Sequence, residues 1–211
     1  MSDSQRPQRL RIFCAAELPP DVRARAAAHL TRLRETAQTR LKISWERAEK
    51  LHLTLKFLGE IDAARIEDVS RAARRAAESS GACVVSLQEA GAFPPRGNAR
   101  VLWLGLRDEA GRLAHLHEQL ETQCARENFP RETRAFHPHI TIARIRIPND
   151  AARRLAQLHT ETEFEPVRFL VTEIVVIHSQ PGAGGSRYTP LSRHTLNIEA
   201  GGELSNSKSE I

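Results

Sequence analysis

Residues 51–58, LHLTLKFL, alternate apolar and polar side chains over a full strand length. No other stretch restricts the fold of this chain so much. In an extended strand, residues i and i+2 share a face. Leu51, Leu53, Leu55 and Phe57 therefore point one way, and His52, Thr54 and Lys56 the other. The apolar side needs a core beneath it. The polar side, with imidazole next to hydroxyl, needs water or a cleft. The pattern returns 139 − 52 = 87 residues later, with His139 and Thr141 on one face and Pro138, Ile140 and Ile142 on the other. One His-x-Thr triplet carries no weight, but two in matching strand contexts hint at two related lobes.

The rest of the chain supplies elements around these strands. Residues 10–18 read as a buried strand closed by Pro19-Pro20. Asp21 is placed to cap a helix over 22–38, with Ala26, Leu30 and Leu33 on one face. A short strand is expected at 43–45. Asp62 can cap a helix on which Ile66, Val69, Ala73 and Ala76 recur. Strands follow at 83–87 and 100–106, joined by a Gly/Pro-rich loop, and Leu113, Leu116, Leu120 and Cys124 mark a helix face. The chain then predicts a strand over 136–147, a helix over 149–158, and strands over 167–177 and 188–198. Between the last two lies a flexible turn, Pro181-Gly182-Ala183-Gly184-Gly185, suited to closing over a ligand.

Composition narrows the class. With 211 residues and 40% hydrophobic content the chain can bury one sizeable core or two lobes sharing one. Its charge, 31 − 26 = +5, suits a phosphate-bearing partner and falls far short of a nucleic-acid coat. Cys14, Cys83 and Cys124 are widely spaced and no signal peptide precedes them, so reduced buried thiols and a cytoplasmic location are expected. No apolar run approaches the roughly 18 residues of a membrane span. Residues 1–8 and 199–211 read as flexible ends flanking one domain over 9–198. No Gly-rich phosphate-binding fingerprint is present.

The paired motifs suit attack on a phosphodiester. Imidazole titrates near neutrality, so one copy can donate a proton while the other accepts one. Each threonine hydroxyl can donate to a non-bridging oxygen as charge builds there. The competing reading is two half-buried strand histidines bonded to neighbouring hydroxyls.

The flanking residues decide between these. In order, the chain carries LRIF at 10–13, Trp45, LHLTLKFLG at 51–59, FPPR at 93–96, RVLWLG at 100–105, FHPHITIAR at 136–144 and GSRYTPL at 185–191. Together these resemble the bacterial RNA 2′,3′-cyclic phosphodiesterases, also called 2′-5′ RNA ligases, of the two-histidine phosphoesterase superfamily. The likeness spans residues 9 to 198. It implies an α+β fold of two pseudo-twofold lobes, with a central cleft between antiparallel sheets. It implies hydrolysis of an RNA-terminal 2′,3′-cyclic phosphate to a 2′-phosphomonoester without metal or cofactor, and joining of RNA ends as the reverse reaction. It assigns His52 as general acid and His139 as general base, and gives Thr54, Thr141 and Arg144 to the phosphate. Strict alternation puts Arg144 on the face opposite His139, so it reaches the cleft only if the strand bulges or ends near Ala143.

His137 and His139, with His115 and His117, lack the further ligands a zinc site wants. His115 and His117 are expected to be exposed, and His178 structural. Among the aromatics, Phe57 and Trp103 are expected in the core and Tyr188 as a base-stacking candidate. Arg96 and Arg100 flank the Pro/Gly loop, where they either guide RNA or are solvated. The expected partner is RNA ending in a cyclic phosphate, bound by a monomer away from any membrane. A cyclic phosphate of a nucleotide metabolite such as ADP-ribose, or RNA-end binding without turnover, are the rival readings.

Overall fold

The structure, a computed structural model, describes residues 8–37, 41–182 and 185–197. The expected flexible ends lie outside the described residues apart from Gln8, as do residues 183 and 184 of the glycine-rich turn and residue 38 of the first expected helix. In chain order the elements are β1 (Arg9–Glu17), α1 (Pro20–Thr36), β2 (Ile43–Trp45), β3 (His52–Asp62), α2 (Ile66–Glu78), β4 (Cys83–Phe93) and β5 (Val101–Arg107). Then come α3 (Arg112–Arg126), β6 (His139–Ile145), α4 (Asp150–Glu161), β7 (Val167–Val171), β8 (Glu173–Gln180) and β9 (Arg187–Thr195).

The strands form two antiparallel sheets, ordered β3-β1-β8-β9 and β2-β6-β5-β4-β7, so the α+β class expected from the sequence is what the chain adopts. The helices cross over. α2 and α3 pack together against the first sheet, while α1 meets α4 and α4 lies on β4 of the second. Small side chains let α2 approach closely: Ala72, Ala73, Ala76 and Ala77 are buried beside Val69. α3 buries the expected Leu113, Leu116, Leu120 and Cys124. Asp62 caps the short 3-10 turn Ala63–Arg65 that leads into α2 rather than α2 itself, accepting from Ala64 N at 2.9 Å. Asp21 does not cap α1. The helix begins two residues earlier, with Pro20, whose fixed φ favours a first helical position, and Asp21 falls within the first turn.

The expected strand over 167–177 is two strands. The chain leaves the second sheet at Thr172 and enters the first as β8, which a continuous apolar run cannot reveal. The three cysteines are free and buried.

The decisive local features are two β-bulges. In β3, Ala15 faces Thr54 and Cys14 faces Lys56, leaving Leu55 as an extra residue. In β6, Trp103 faces Thr141 and Leu102 faces Ala143, leaving Ile142 extra. A bulge exchanges the faces of everything beyond it. Lys56, expected beside His52 and Thr54, therefore turns into the core and is 4% exposed, while Phe57, expected in the core, is 57% exposed. Arg144 gains the face of His139 and Thr141, which meets the condition set by alternation. The two bulges stand at matching places, each directly after its His-x-Thr triplet.

Candidate active site

His52 and His139 open their strands, and each ring is held alike. His52 Nδ1 donates to Lys50 O at 2.6 Å and His139 Nδ1 to His137 O at 2.7 Å. The carbonyl two residues back thus fixes one tautomer at both positions and leaves Nε2 for chemistry. His52 Nε2 meets Thr54 Oγ1 at 3.1 Å, so the hydroxyl donates to the neutral ring. Aromatic rings close around each imidazole. His52 packs 5.0 Å from Phe13 and edge-on to Tyr188 at 5.4 Å. His139 stands edge-on to Phe93 at 5.1 Å and 6.2 Å from Trp103.

The two groups share one field. Burial lowers the pKa of His52, the Lys50 carbonyl raises it, and the charges of Arg144 and His139 lower it further. Burial likewise lowers His139, opposed by the His137 carbonyl and assisted by Arg144. The charge of Arg144 therefore acts on both imidazoles. Burial raises the Tyr188 phenol, Glu46 raises it further, and Arg144 and Arg11 oppose.

Of the residues expected in the site, Thr54 and Tyr188 touch His52, the charge of Arg144 reaches both imidazoles, and Thr141 lies two residues after His139 in β6, opposite Trp103. Sequence reasoning gave no role to Phe13 and Phe93, which stand in the LRIF and FPPR stretches. It also misjudged Trp103, which faces the cleft opposite Thr141 rather than the core. Glu46 was missed too. It leaves β2 with its N–H on Ile142 O at 2.9 Å, and its carboxyl is raised by burial and lowered by Arg144 and Lys50. His178 pairs with Ile12 on the opposite side of its sheet. His115 is exposed as expected, but His117 is not: its side chain is 14% exposed and stacks on Phe136. Arg96 and Arg100 are exposed. Among the described residues, no three His, Cys, Asp or Glu side chains are grouped to hold a metal ion. No helix among them is long and apolar enough to cross a membrane.

Known proteins resemble this chain in sequence and in fold. The family model of the 2′-5′ RNA ligase superfamily matches residues 18–183. An Escherichia coli (strain K12) protein named RNA 2′,3′-cyclic phosphodiesterase is 32% identical over 186 residues, covering 88% of this chain and 96% of its own. A Thermotoga maritima protein of the same name is 27% identical, covering 86% and 93%. The crystal structure of E. coli LigT complexed with 3′-AMP superposes with a TM-score of 0.68 at 29% identity, covering 90% of this chain and 99% of that one. With the family model covering most of its length and the site built in this way, the chain belongs to the 2′-5′ RNA ligase superfamily.

Proposed function

We propose that residues 9–198 form one two-lobed domain that hydrolyses RNA-terminal 2′,3′-cyclic phosphate to a 2′-phosphomonoester. The observation carrying this is the pair of imidazoles, each fixed through Nδ1 to a carbonyl and each offering Nε2 beside the Arg144 charge. The relatives named RNA 2′,3′-cyclic phosphodiesterase and the LigT complex with 3′-AMP support the same reading.

In this scheme His139 Nε2 takes a proton from water as its oxygen attacks phosphorus. The P–O3′ bond breaks on the opposite side, and His52 Nε2–H gives its proton to the departing O3′. Thr54, Thr141 and Arg144 hold the non-bridging oxygens, where charge accumulates. The imidazoles carry both proton transfers, so no metal is required. Exposed Phe57 takes the place in β3 that Arg144 has in β6, five residues after its histidine. With Tyr188 it offers the terminal base an aromatic surface, worth about 1–3 kcal/mol per stacked base.

The test is incubation of a short oligonucleotide ending in 2′,3′-cyclic phosphate, with excess chelator, followed by product identification. A 2′-phosphate is expected. Loss of activity restored by zinc or manganese overturns the two-histidine scheme. Faster turnover of ADP-ribose cyclic phosphate moves the substrate to nucleotide metabolites, and binding without turnover makes the chain an RNA-end-binding module. A 3′-sulfur substrate separates the roles, because a thiolate leaves without a proton. It should rescue His52→Ala and not His139→Ala, and the reverse exchanges acid and base.

A further inference from the structure

The two carbonyls that hold His52 and His139 rest on unequal supports. Lys50 O belongs to a 3-10 turn, Ala48–Lys50, that holds itself through Lys50 N to Arg47 O at 2.9 Å and Leu51 N to Ala48 O at 3.2 Å. His137 O ends an irregular strap, residues 129–138, that runs from α3 to β6 with most side chains exposed. Such a strap loses roughly 1–2 kcal/mol of backbone entropy per ordered residue, so something must hold it.

The end of the strap is tied to β5 by Leu106 N donating to Pro138 O at 3.0 Å, and Arg131 binds Thr122 and Glu118 of α3 from outside; the misplaced Lys56 holds it from within. Its Nζ donates to both carboxylate oxygens of Glu121 at 2.8 Å and to the strap at Pro130 O at 2.9 Å. Glu121 Oε2 also accepts from Glu132 N of the strap at 3.1 Å. Both side chains are almost fully buried, at 2% and 3% exposure. One helical turn earlier on α3, His117 lies flat on Phe136 of the strap, ring centroids 4.0 Å apart at 9°, with its Nε2 3.8 Å from Glu121. Next in the chain comes His137, whose carbonyl holds His139. A buried ion pair adds little stability over apolar residues of the same shape, so stability alone is a weak reason for this one.

We propose that the Lys56–Glu121 pair is a positioning device for His139: it clamps the strap so that the His137 carbonyl keeps the ring in place. Lys56 stands four residues after His52, so one strand carries the first motif and the clamp that orients the second. This rests on the role given to His139 above.

The test is Lys56→Met combined with Glu121→Met, which removes the clamp without leaving a buried charge. Rates, thermal melting and NMR titration of both histidines are measured. The double variant should melt cooperatively, with kcat down about tenfold to a hundredfold, as a loss of placement predicts, and KM little changed. The His139 pKa should fall, because the carbonyl that holds it up is released, while His52 titrates as in the wild type. A folded variant with wild-type kcat and His139 titration overturns the proposal, and so do equal shifts at both histidines. If the double variant does not fold, Phe136→Leu is judged by the same criteria, with a smaller shift expected. The titration needs no turnover, so a wild type inactive on cyclic phosphate refutes the functional reading and leaves the clamp to be decided by NMR.

Discussion

Replacing Gly91 by alanine tests whether the floor beneath His139 is set by close packing. Gly91 faces Trp103 across β4 and β5, and the indole lies directly over it. A Cβ at residue 91 would stand 2.1 Å from Trp103 Cζ2, 2.2 Å from Cη2 and 2.6 Å from Cε2. Carbon atoms pack best at about 3.5–4.0 Å, so the indole or the strand must move by roughly 1.4 Å or more. Gly105, opposite His139, closes the other side: a Cβ there would meet Cζ3 at 2.9 Å. Moving away from both glycines brings the indole toward Phe93 and His139, at 5.1 and 6.2 Å. Overpacking of this kind costs about 1–3 kcal/mol, which lowers Tm by roughly 2–4 °C per kcal/mol in a domain of this size. If His139 moves by about 1 Å, the rate falls about 10²-fold. Trp103→Phe in the same chain should recover much of both losses, since the smaller ring leaves room. The buried Trp103 Nε1 has no partner among the described residues, so that exchange gives up no hydrogen bond. The assays are thermal melting and kcat/KM on a cyclic-phosphate oligonucleotide. Unchanged Tm and rate in Gly91→Ala would refute the packing argument. A lower Tm with an unchanged rate would break the link from Trp103 to His139.

Three more outcomes follow from the same geometry. His52→Ala and His139→Ala should each cost roughly 10² to 10⁴ in rate while staying folded, whereas Thr54→Ala and Thr141→Ala should lose about 1.5–3 kcal/mol of transition-state binding, read from kcat/KM. Because burial and Arg144 lower the pKa of His52, its acid form is lost below the usual imidazole value in the free enzyme, and a bound phosphate anion restores it. The alkaline limb of kcat should therefore lie at higher pH than that of kcat/KM, and coincident limbs would contradict the acid assignment. The third outcome concerns stability. His159 Nε2 donates to Trp103 O at 3.0 Å and its Nδ1 accepts from His29 Nε2 at 3.1 Å, leaving the buried His29 Nδ1 without a partner among the described residues. Burial, then His159 and Arg32, bring His29 down to about 4. The unfolded chain thus binds the extra proton first, so stability falls as pH drops from about 6.5 to about 4, by roughly 3 kcal/mol. Denaturant midpoints across that window check this, and His29→Gln should flatten the dependence.

Much of the site was legible from residue order alone, because strand periodicity is a local property. Alternation placed His52 with Thr54 and His139 with Thr141, and helical spacing found the buried faces of α2 and α3. Beyond each triplet the same rule failed. Whether a strand bulges depends on the register of its neighbour, and the strands against which Leu55 and Ile142 bulge, β1 and β5, lie far away in the chain. Those two extra residues sent Lys56 into the core, Phe57 out of it and Arg144 into the cleft. The crossing at Thr172 was hidden for a related reason: a strand in either sheet asks for the same apolar residues. Glu46 lies outside every motif, and Phe13, Phe93 and Trp103, though they stand in stretches that carry the resemblance, gain a role only from what the sheets set beside them. The sequence by itself determined which residues can move protons and that each pair shares a face. Tertiary structure decided which charges and rings surround them, because bulges, sheet crossings and buried ion pairs are properties of pairs of segments rather than of one.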